Sequence, residues 1–304
     1  MATESSQRYA VVTGANKGIG FETVKQLSSE GVCVVLTARD EKRGREATSK
    51  LHQLGLSSDC VLFHQLDVSD PLSVQALAQF IHQNFGRLDI LVNNAGVSGS
   101  VVDEDALRAM NINPADWLSG KVANLVQSVM KQTYEKAEEC LNINYYGVKR
   151  VTEALLPLLK LSPSGARIVN VSSLRSELKR IPSESIRKEL GDLETLTEEK
   201  VDGILKKFLH DAKENALEAN GWHVMLPAYS ISKATLNAYT RILAKKYPNM
   251  YINCVHPGYV NTDINWHTGT LTVEEGGRGP VMLALLPDEG PTGCYFDQTQ
   301  VAMF

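Results

Sequence analysis

Residues 9–31 read Tyr-Ala-Val-Val-Thr-Gly-Ala-Asn-Lys-Gly-Ile-Gly-Phe-Glu-Thr-Val-Lys-Gln-Leu-Ser-Ser-Glu-Gly. The short apolar run Ala10–Val12 fits a strand buried on both faces. Gly14, Gly18 and Gly20 follow, then Ile19, Val24 and Leu27 at helical spacing, and Gly31 stands where a helix should stop. Strand, glycine turn and helix in this order form the setting of a dinucleotide-binding fingerprint. The glycines let the backbone approach a pyrophosphate, which lies at the positive end of the helix. The spacing Gly-x-x-x-Gly-x-Gly is one residue wider than Gly-x-Gly-x-x-Gly, and without its flanking elements it would be an ordinary glycine-rich turn.

The next predicted strand, Val32–Ala38, runs into Arg39-Asp40-Glu41-Lys42-Arg43. An acid at this strand end usually accepts bonds from a ribose 2′-hydroxyl, whereas an arginine accommodates a 2′-phosphate. Arg39 here and Lys17 in the glycine loop favour NADP(H) over NAD(H), although Asp40 is adjacent and Lys42 and Arg43 also suit a solvated helix start. Further strands are expected at Cys60–Leu66, Leu88–Val92, Ala166–Val171, Met250–Val255 and, briefly, Cys294–Phe296. Strands alternating with helical segments predict a Rossmann-type, doubly wound parallel α/β sheet. Its ligand cleft opens at the carboxyl ends of the strands.

A second motif, Tyr229-Ser-Ile-Ser-Lys233, lies in a run from Pro227 to Tyr247 that reads as helix. Residues at i and i+4 share a face, so the phenol and the ammonium can enter one cleft. A nearby cation favours phenolate and draws the phenol's pKa down from about 10 toward the range where proton transfer is efficient. On its own, Tyr-x-x-x-Lys is more often a half-buried aromatic beside a solvated lysine.

Taken together, the motifs identify a resemblance. The chain resembles the short-chain dehydrogenases/reductases along essentially its whole length. The resemblance is carried by Thr13-Gly14-x-x-x-Gly18-x-Gly20, Leu66-Asp67-Val68, Asn93-Asn94-Ala95-Gly96, Asn144 within Ile-Asn-Tyr-Tyr-Gly, Ile168–Ser173, Tyr229-x-x-x-Lys233, and Pro257-Gly258 with Thr262. Within that family it is similar to the plant salutaridine reductase and menthone reductase group, which includes neomenthol and isopiperitenone enzymes. That narrower likeness rests on Val12–Glu22, Phe63–Val68, Leu236–Thr240 and Leu285–Asp288.

The resemblance implies an NADPH-dependent carbonyl reductase or alcohol dehydrogenase acting on a bulky apolar ketone, terpenoid or alkaloid. Tyr229 would be the general acid, Ser173 would hold the carbonyl oxygen, and Ser172 is the weaker serine because strand alternation turns it to the opposite face. Lys233 would bind the nicotinamide ribose and lower the pKa of Tyr229, and Asn144 would order the water of a proton relay. The cofactor would meet Gly14, Asn16, Lys17, Gly18, Ile19, Gly20, Arg39, Asp67, Val68, Asn93, Asn94, Pro257, Gly258, Val260 and Thr262, besides Tyr229 and Lys233. Asp67 also reads as a helix cap, since Ser69-Asp70-Pro71 opens a helix. Two other functions stay open: a double-bond reductase of the same fold, whose members depart from the family at the tyrosine, and a non-catalytic NADPH-binding protein.

One domain, 1–304, is expected, with insertions at about 97–135 and 175–226 that form a substrate lid. Val101–Trp117 and Gly120–Met130 look like extra helices, and Glu189–Leu217 like a charged amphipathic stretch. Such insertions are also common as mere decoration. In the resembled plant reductases the first insertion covers the surface that other members use to dimerise, which implies a monomer. Residues flanking the motifs, Val97, Ser98, Leu174, Arg175, Met225, Tyr259, Trp266 and His267, are expected at the substrate. Arg175 reads either as a partner for a substrate carboxylate or phenolate, or, more commonly for arginine, as solvent-exposed.

Bulk properties suit a cytoplasmic enzyme with a small-molecule substrate. Of 304 residues 43% are hydrophobic, enough for a sizeable core. The net charge of −4, without a basic block, gives no footing for nucleic acid or an anionic membrane. Cys33, Cys60, Cys140, Cys254 and Cys294 form no Cys-x-x-Cys pair and read as reduced, mostly buried thiols. The seven histidines lack ligand spacing, so no metal is expected; Met1–Arg8 lacks the apolar core of a secretory leader, and no apolar run is long enough to span a bilayer.

Overall fold

In the computed structural model, which describes residues 7–304, the elements follow the alternation expected from sequence. They are β1 (Tyr9–Val12), α1 (Gly18–Ser29), β2 (Cys33–Ala38), α2 (Glu41–Gln53), β3 (Val61–Gln65), α3 (Pro71–Phe85) and β4 (Ile90–Asn93). A first insertion carries β5 (Val101–Val102), α4 (Glu104–Ala109), α5 (Pro114–Ser119), α6 (Ala123–Val126) and β6 (Met130–Lys131). Then come α7 (Tyr134–Leu141), α8 (Val148–Leu159), β7 (Arg167–Val171), α9 (Glu184–Gly191), α10 (Glu198–Lys213), α11 (Pro227–Lys246), β8 (Tyr251–His256), α12 (Val273–Ala284), β9 (Tyr295–Asp297) and β10 (Gln300–Ala302). Most of the segment from which the lack of a leader was read, residues 1–6, lies outside the described residues.

The main sheet has the order β10-β9-β8-β7-β4-β1-β2-β3, parallel except for β10. Chain order reverses between β1 and β4, which sets the ligand crevice at the carboxyl ends of these two strands. The period of two along each strand feeds two helical layers. Val11, Val35, Leu91, Ile168 and Ile252 enter the core beneath α3, α8 and α11, while Val12, Val34, Val92, Val169 and Val255 meet α1, α2 and α12.

Both insertions differ in detail from expectation. The first is three short helices framed by the two-residue ladder β5–β6, because Asn113-Pro114 starts a helix and Gly120, at φ +83°, stops it. The second breaks at Asp192, whose carboxylate accepts bonds from Thr195 Oγ1 and the Glu194 amide. Val201, Ile204, Leu205 and Phe208 of α10 then bury in the main core, and α10 packs on α7 and α11. The second insertion thus packs on α7 and α11 through α10. The five cysteines are unpaired, and no helix among the described residues is long and apolar enough to cross a membrane.

Candidate active site

The turn after β1 is fixed by crowding. Gly14 has φ +62°, and an added Cβ would stand 2.8 Å from Ala95 Cα; at Gly20 it would stand 2.4 Å from Asn94 Nδ2. Only glycine leaves this backbone open to a ligand. Thr13 Oγ1 accepts from the amides of Asn94 and Ala95 at 3.0 Å each, and Asn94 Nδ2 donates to the carbonyls of Thr13 and Gly14. These bonds lock the ends of β1 and β4 together at the crevice. Helix α1 begins at Lys17 with no side-chain cap and no acid in its first turn, so its first amides keep their capacity for an anion.

A cavity of about 510 Å³ runs from this turn along the strand ends. Gly14, Asn16, Lys17, Gly18, Ile19, Gly20, Arg39, Asp67, Val68, Asn94, Pro257, Gly258, Val260 and Thr262 line it, as do Ser173, Tyr229 and Lys233. Arg39 lines it with a side chain that makes no ion pair among the described residues, whereas Asp40 is spent capping α2, accepting from Arg43 N at 2.9 Å. Lys17 is ion-paired with Asp263 across the mouth. Asp67 does not cap α3; Asp70 does, and Asp67 Oδ1 accepts instead from Ser69 N and Oγ, leaving Oδ2 without a protein partner.

At the other end, Pro227 opens α11 at a position suited to its fixed φ, after Leu226 is forced to φ +52°. Gln132, from the first insertion, accepts from the Ala228 amide at 2.7 Å. Tyr229 therefore sits in the first turn, where the helix dipole favours an anion. Burial nevertheless pushes its phenol above the ordinary value, and the Ser173 hydroxyl and the Arg175 charge only partly oppose this. Lys233 is 3% exposed, donates to the Val171 carbonyl at 2.8 Å, and is drawn down by burial to about 8. The expected fall of the Tyr229 pKa through Lys233 is thus not what the protein alone provides: desolvation acts on both groups and outweighs their proximity.

Ser172 donates to Asn237 Oδ1 at 2.6 Å, and Asn237 in turn donates to Ser176. That hydroxyl is tied into the wall, whereas Ser173 Oγ accepts only the Arg175 amide. Asn144 is fully buried in a widened helical turn, Asn142–Gly147, between α7 and α8. Such one-turn widenings often mark functional positions. Its Oδ1 accepts from Val97 N, and its Nδ2 donates to Val97 O, Ser232 Oγ and Cys140 Sγ. Asn144 is therefore behind the cavity wall, and only a lone pair on Oδ1 remains for a water.

Two expected contacts are corrected. Asn93 does not reach the cavity: its side chain turns to the opposite layer and donates to Asn170 and Thr152, as strand alternation requires once Asn94 faces the crevice. Met225 is buried behind the wall, where its sulfur accepts from Arg175. Val97, Ser98, Leu174, Arg175, Tyr259, Trp266 and His267 do line the cavity, joined by Trp117, Leu118, Leu226 and Ile264, which sequence reasoning missed. Trp117 meets Trp266 edge-on at 6.3 Å and roofs the apolar half. The amphipathic spacing of the first insertion gave no sign of which side would face a ligand. Only the two ends of the second insertion, Leu174–Arg175 and Leu226, touch the cavity.

A family model described as short chain dehydrogenase matches residues 8–185. Full-length relatives extend the likeness past that point, across Tyr229 and Lys233. Short-chain dehydrogenase/reductase 1 of Saponaria officinalis is 56% identical over 300 residues, covering 99% of this chain and 97% of its own. The (+)-neomenthol dehydrogenase of Arabidopsis thaliana is 52% identical over 303 residues and 99% of each chain. The solved structure of salutaridine reductase from Papaver somniferum superposes with a TM-score of 0.88 at 51% identity, over 96% of this chain and 99% of that one.

Proposed function

The chain belongs to the short-chain dehydrogenases/reductases, and from that premise we propose that it is an NADPH-dependent carbonyl reductase, or alcohol dehydrogenase in reverse, for bulky cyclic ketones of the terpenoid or alkaloid kind. The observation that carries this reading is the convergence of Tyr229, Ser173 and Lys233 on one wall of a cavity whose far end is the glycine turn and Arg39.

The residues fit the cofactor. The uncapped start of α1 and the glycine cradle suit a pyrophosphate, and the unpaired Arg39 suits a 2′-phosphate that Asp40, occupied as a cap, does not oppose. When bound, the nicotinamide supplies hydride to the carbonyl carbon. Tyr229 donates its phenolic proton to the oxygen as negative charge grows there, and Ser173 Oγ donates a hydrogen bond to the same oxygen. Lys233, one N–H held by Val171, directs its other donors to the ribose and lends positive charge to the phenolate that forms. Asn144 clasps Val97 and Ser232 and so fixes the wall behind Lys233, with its remaining Oδ1 lone pair open to a relay water.

The apolar roof of Trp117, Leu118, Leu226 and Trp266 favours a large hydrophobic substrate, in line with the names of the relatives. We read this roof as the part of the insertions that serves as a lid; α10 instead joins the main core against α7 and α11. A cytoplasmic monomer remains our proposal, carried by the family resemblance and the composition. Incubation with NADPH and a panel of cyclic ketones tests the reading: oxidation of NADPH with formation of the alcohol is expected, and binding of NADPH without turnover of any ketone would contradict it.

A further inference from the structure

Arg175 was most simply read as a solvent-exposed arginine, and it is not one. It lies half-buried in the apolar half of the cavity, beside Trp117, Leu118 and Leu226. Of its five N–H groups, those on Nη2 reach the Trp117 carbonyl at 2.7 Å and the Met225 sulfur at 3.1 Å. Neither acceptor is charged. Nε and Nη1 have no protein acceptor, and Arg175 forms no ion pair among the described residues. These donors are not sealed in the wall, since they are absent from the buried polar atoms without partners.

The surroundings do not compensate the charge. Arg180 adds repulsion, and its own guanidinium is taken by Glu177 and the Leu118 carbonyl. The nearby His223 is held neutral by burial and by these two arginines, with its pKa near 3. Tyr259, also close, shares its hydroxyl with Thr268. Burial and Arg180 draw Arg175 itself down only to about 10, so it stays cationic at neutral pH. A desolvated guanidinium without a counter-ion is costly, and a fork of free donors matches an anionic oxygen pair. A purely structural tie between the first insertion and Met225 would use Nη2 alone.

We infer that Arg175 is a specificity residue whose Nε and Nη1 donors bind an anionic oxygen, carboxylate or phenolate, on the ketone that enters this cavity. The inference rests on the carbonyl-reductase reading and narrows its substrate class. A wholly apolar ketone would bury the charge unanswered; an acidic one would neutralise it in the cavity that Tyr229 also lines.

The test compares kcat/KM at pH 7 for matched pairs in the full-length protein with NADPH: a cyclic keto acid against its methyl ester, and a cyclic ketophenol made acidic by a nitro substituent, so that it is largely ionised at this pH, against its methyl ether. The parent protein should prefer one acidic member by about 10²-fold, the scale of a charged hydrogen-bonded contact. Which pair shows the preference identifies the carboxylate or the phenol as the source. Arg175→Gln should bring that ratio close to one, the ratio being taken within the variant so that any change common to both members through Tyr229 cancels, and Arg175→Lys should keep part of it. Equal turnover within both pairs by the parent, or equal loss on both members in Arg175→Gln, would overturn the inference and leave the reductase reading standing. No reduction of any ketone by the parent would overturn the reductase reading and this inference with it.

Discussion

Replacing Lys233 by Met should stabilise the protein while ending its chemistry. The ammonium is 3% exposed and no carboxylate offsets its burial; its pKa falls from 10.5 to about 8. At about 1.4 kcal/mol for each pH unit, holding the charge costs about 3 kcal/mol at pH 7. Methionine removes that cost but leaves the Val171 carbonyl without its donor, a loss of about 1 kcal/mol. The net gain is about 2 kcal/mol. With an unfolding entropy of about 2 cal/mol/K for each of 304 residues, the melting temperature should rise by about 3 °C. The sign with pH follows from linkage. The folded pKa is depressed, so the unfolded chain holds more protons between about 8 and 10.5, and the parent gains stability as pH rises through that window. The advantage of the variant should therefore be full below about pH 8 and shrink by pH 10. Calorimetric melts of both proteins without cofactor, at pH 7 and pH 10, measure this directly. A variant that melts lower than the parent at pH 7, or an advantage that grows with pH, would refute the idea that burial of the charge is stored at this site for function.

Two other substitutions separate the parts of the molecule. Arg39→Asp should invert the preference from NADPH toward NADH, because the 2′-phosphate loses charge-assisted bonds and meets repulsion; kcat/KM for both cofactors decides it, and an unchanged ratio would remove Arg39 from the site. Phe208→Ala opens a fully buried site in α10 and should cost about 3–5 kcal/mol in denaturant unfolding, yet leave kcat nearly unchanged, since α10 lines no part of the cavity.

The fold was legible because its signals are local. Apolar runs such as Val32–Ala38 and the glycine turn specify strand, turn and helix within a few residues, and the observed β2, β3, β7 and β8 fall within a residue or two of their expected spans. The antiparallel β10 was missed because Gln300–Ala302 is three residues with no alternation of its own, paired only through β9. At the site, residue types at fixed offsets gave the glycine loop, Tyr229, Lys233 and Ser173, but not which way each side chain turns. Asn93 and Asn94 are neighbours with the same chemistry, and only the register of β4 sends one to the crevice and the other to the core. Asn144 was expected to handle water, yet most of its amide is consumed by Val97 and Ser232, partners 47 and 88 residues away in sequence. Arg175 looked solvated because arginine usually is; the groups that enclose it, Trp117 and Met225, come from two insertions whose packing no periodicity reveals. The pKa of Tyr229 failed for a similar reason. Spacing brings a cation near, but burial of the whole wall sets the balance.

The central mechanistic step is proton donation by Tyr229, and Tyr229→Phe isolates it. Phenylalanine keeps the ring and its packing in the first turn of α11 while removing the hydroxyl near Ser173 and Arg175. Fluorescence titration should show NADPH still bound, and single-turnover reduction of a ketone accepted by the parent should fall by about 10²-fold or more, the usual scale for losing a general acid. Ketone reduction by Tyr229→Phe near the parental rate would contradict the mechanism, since the proton would then come from another group.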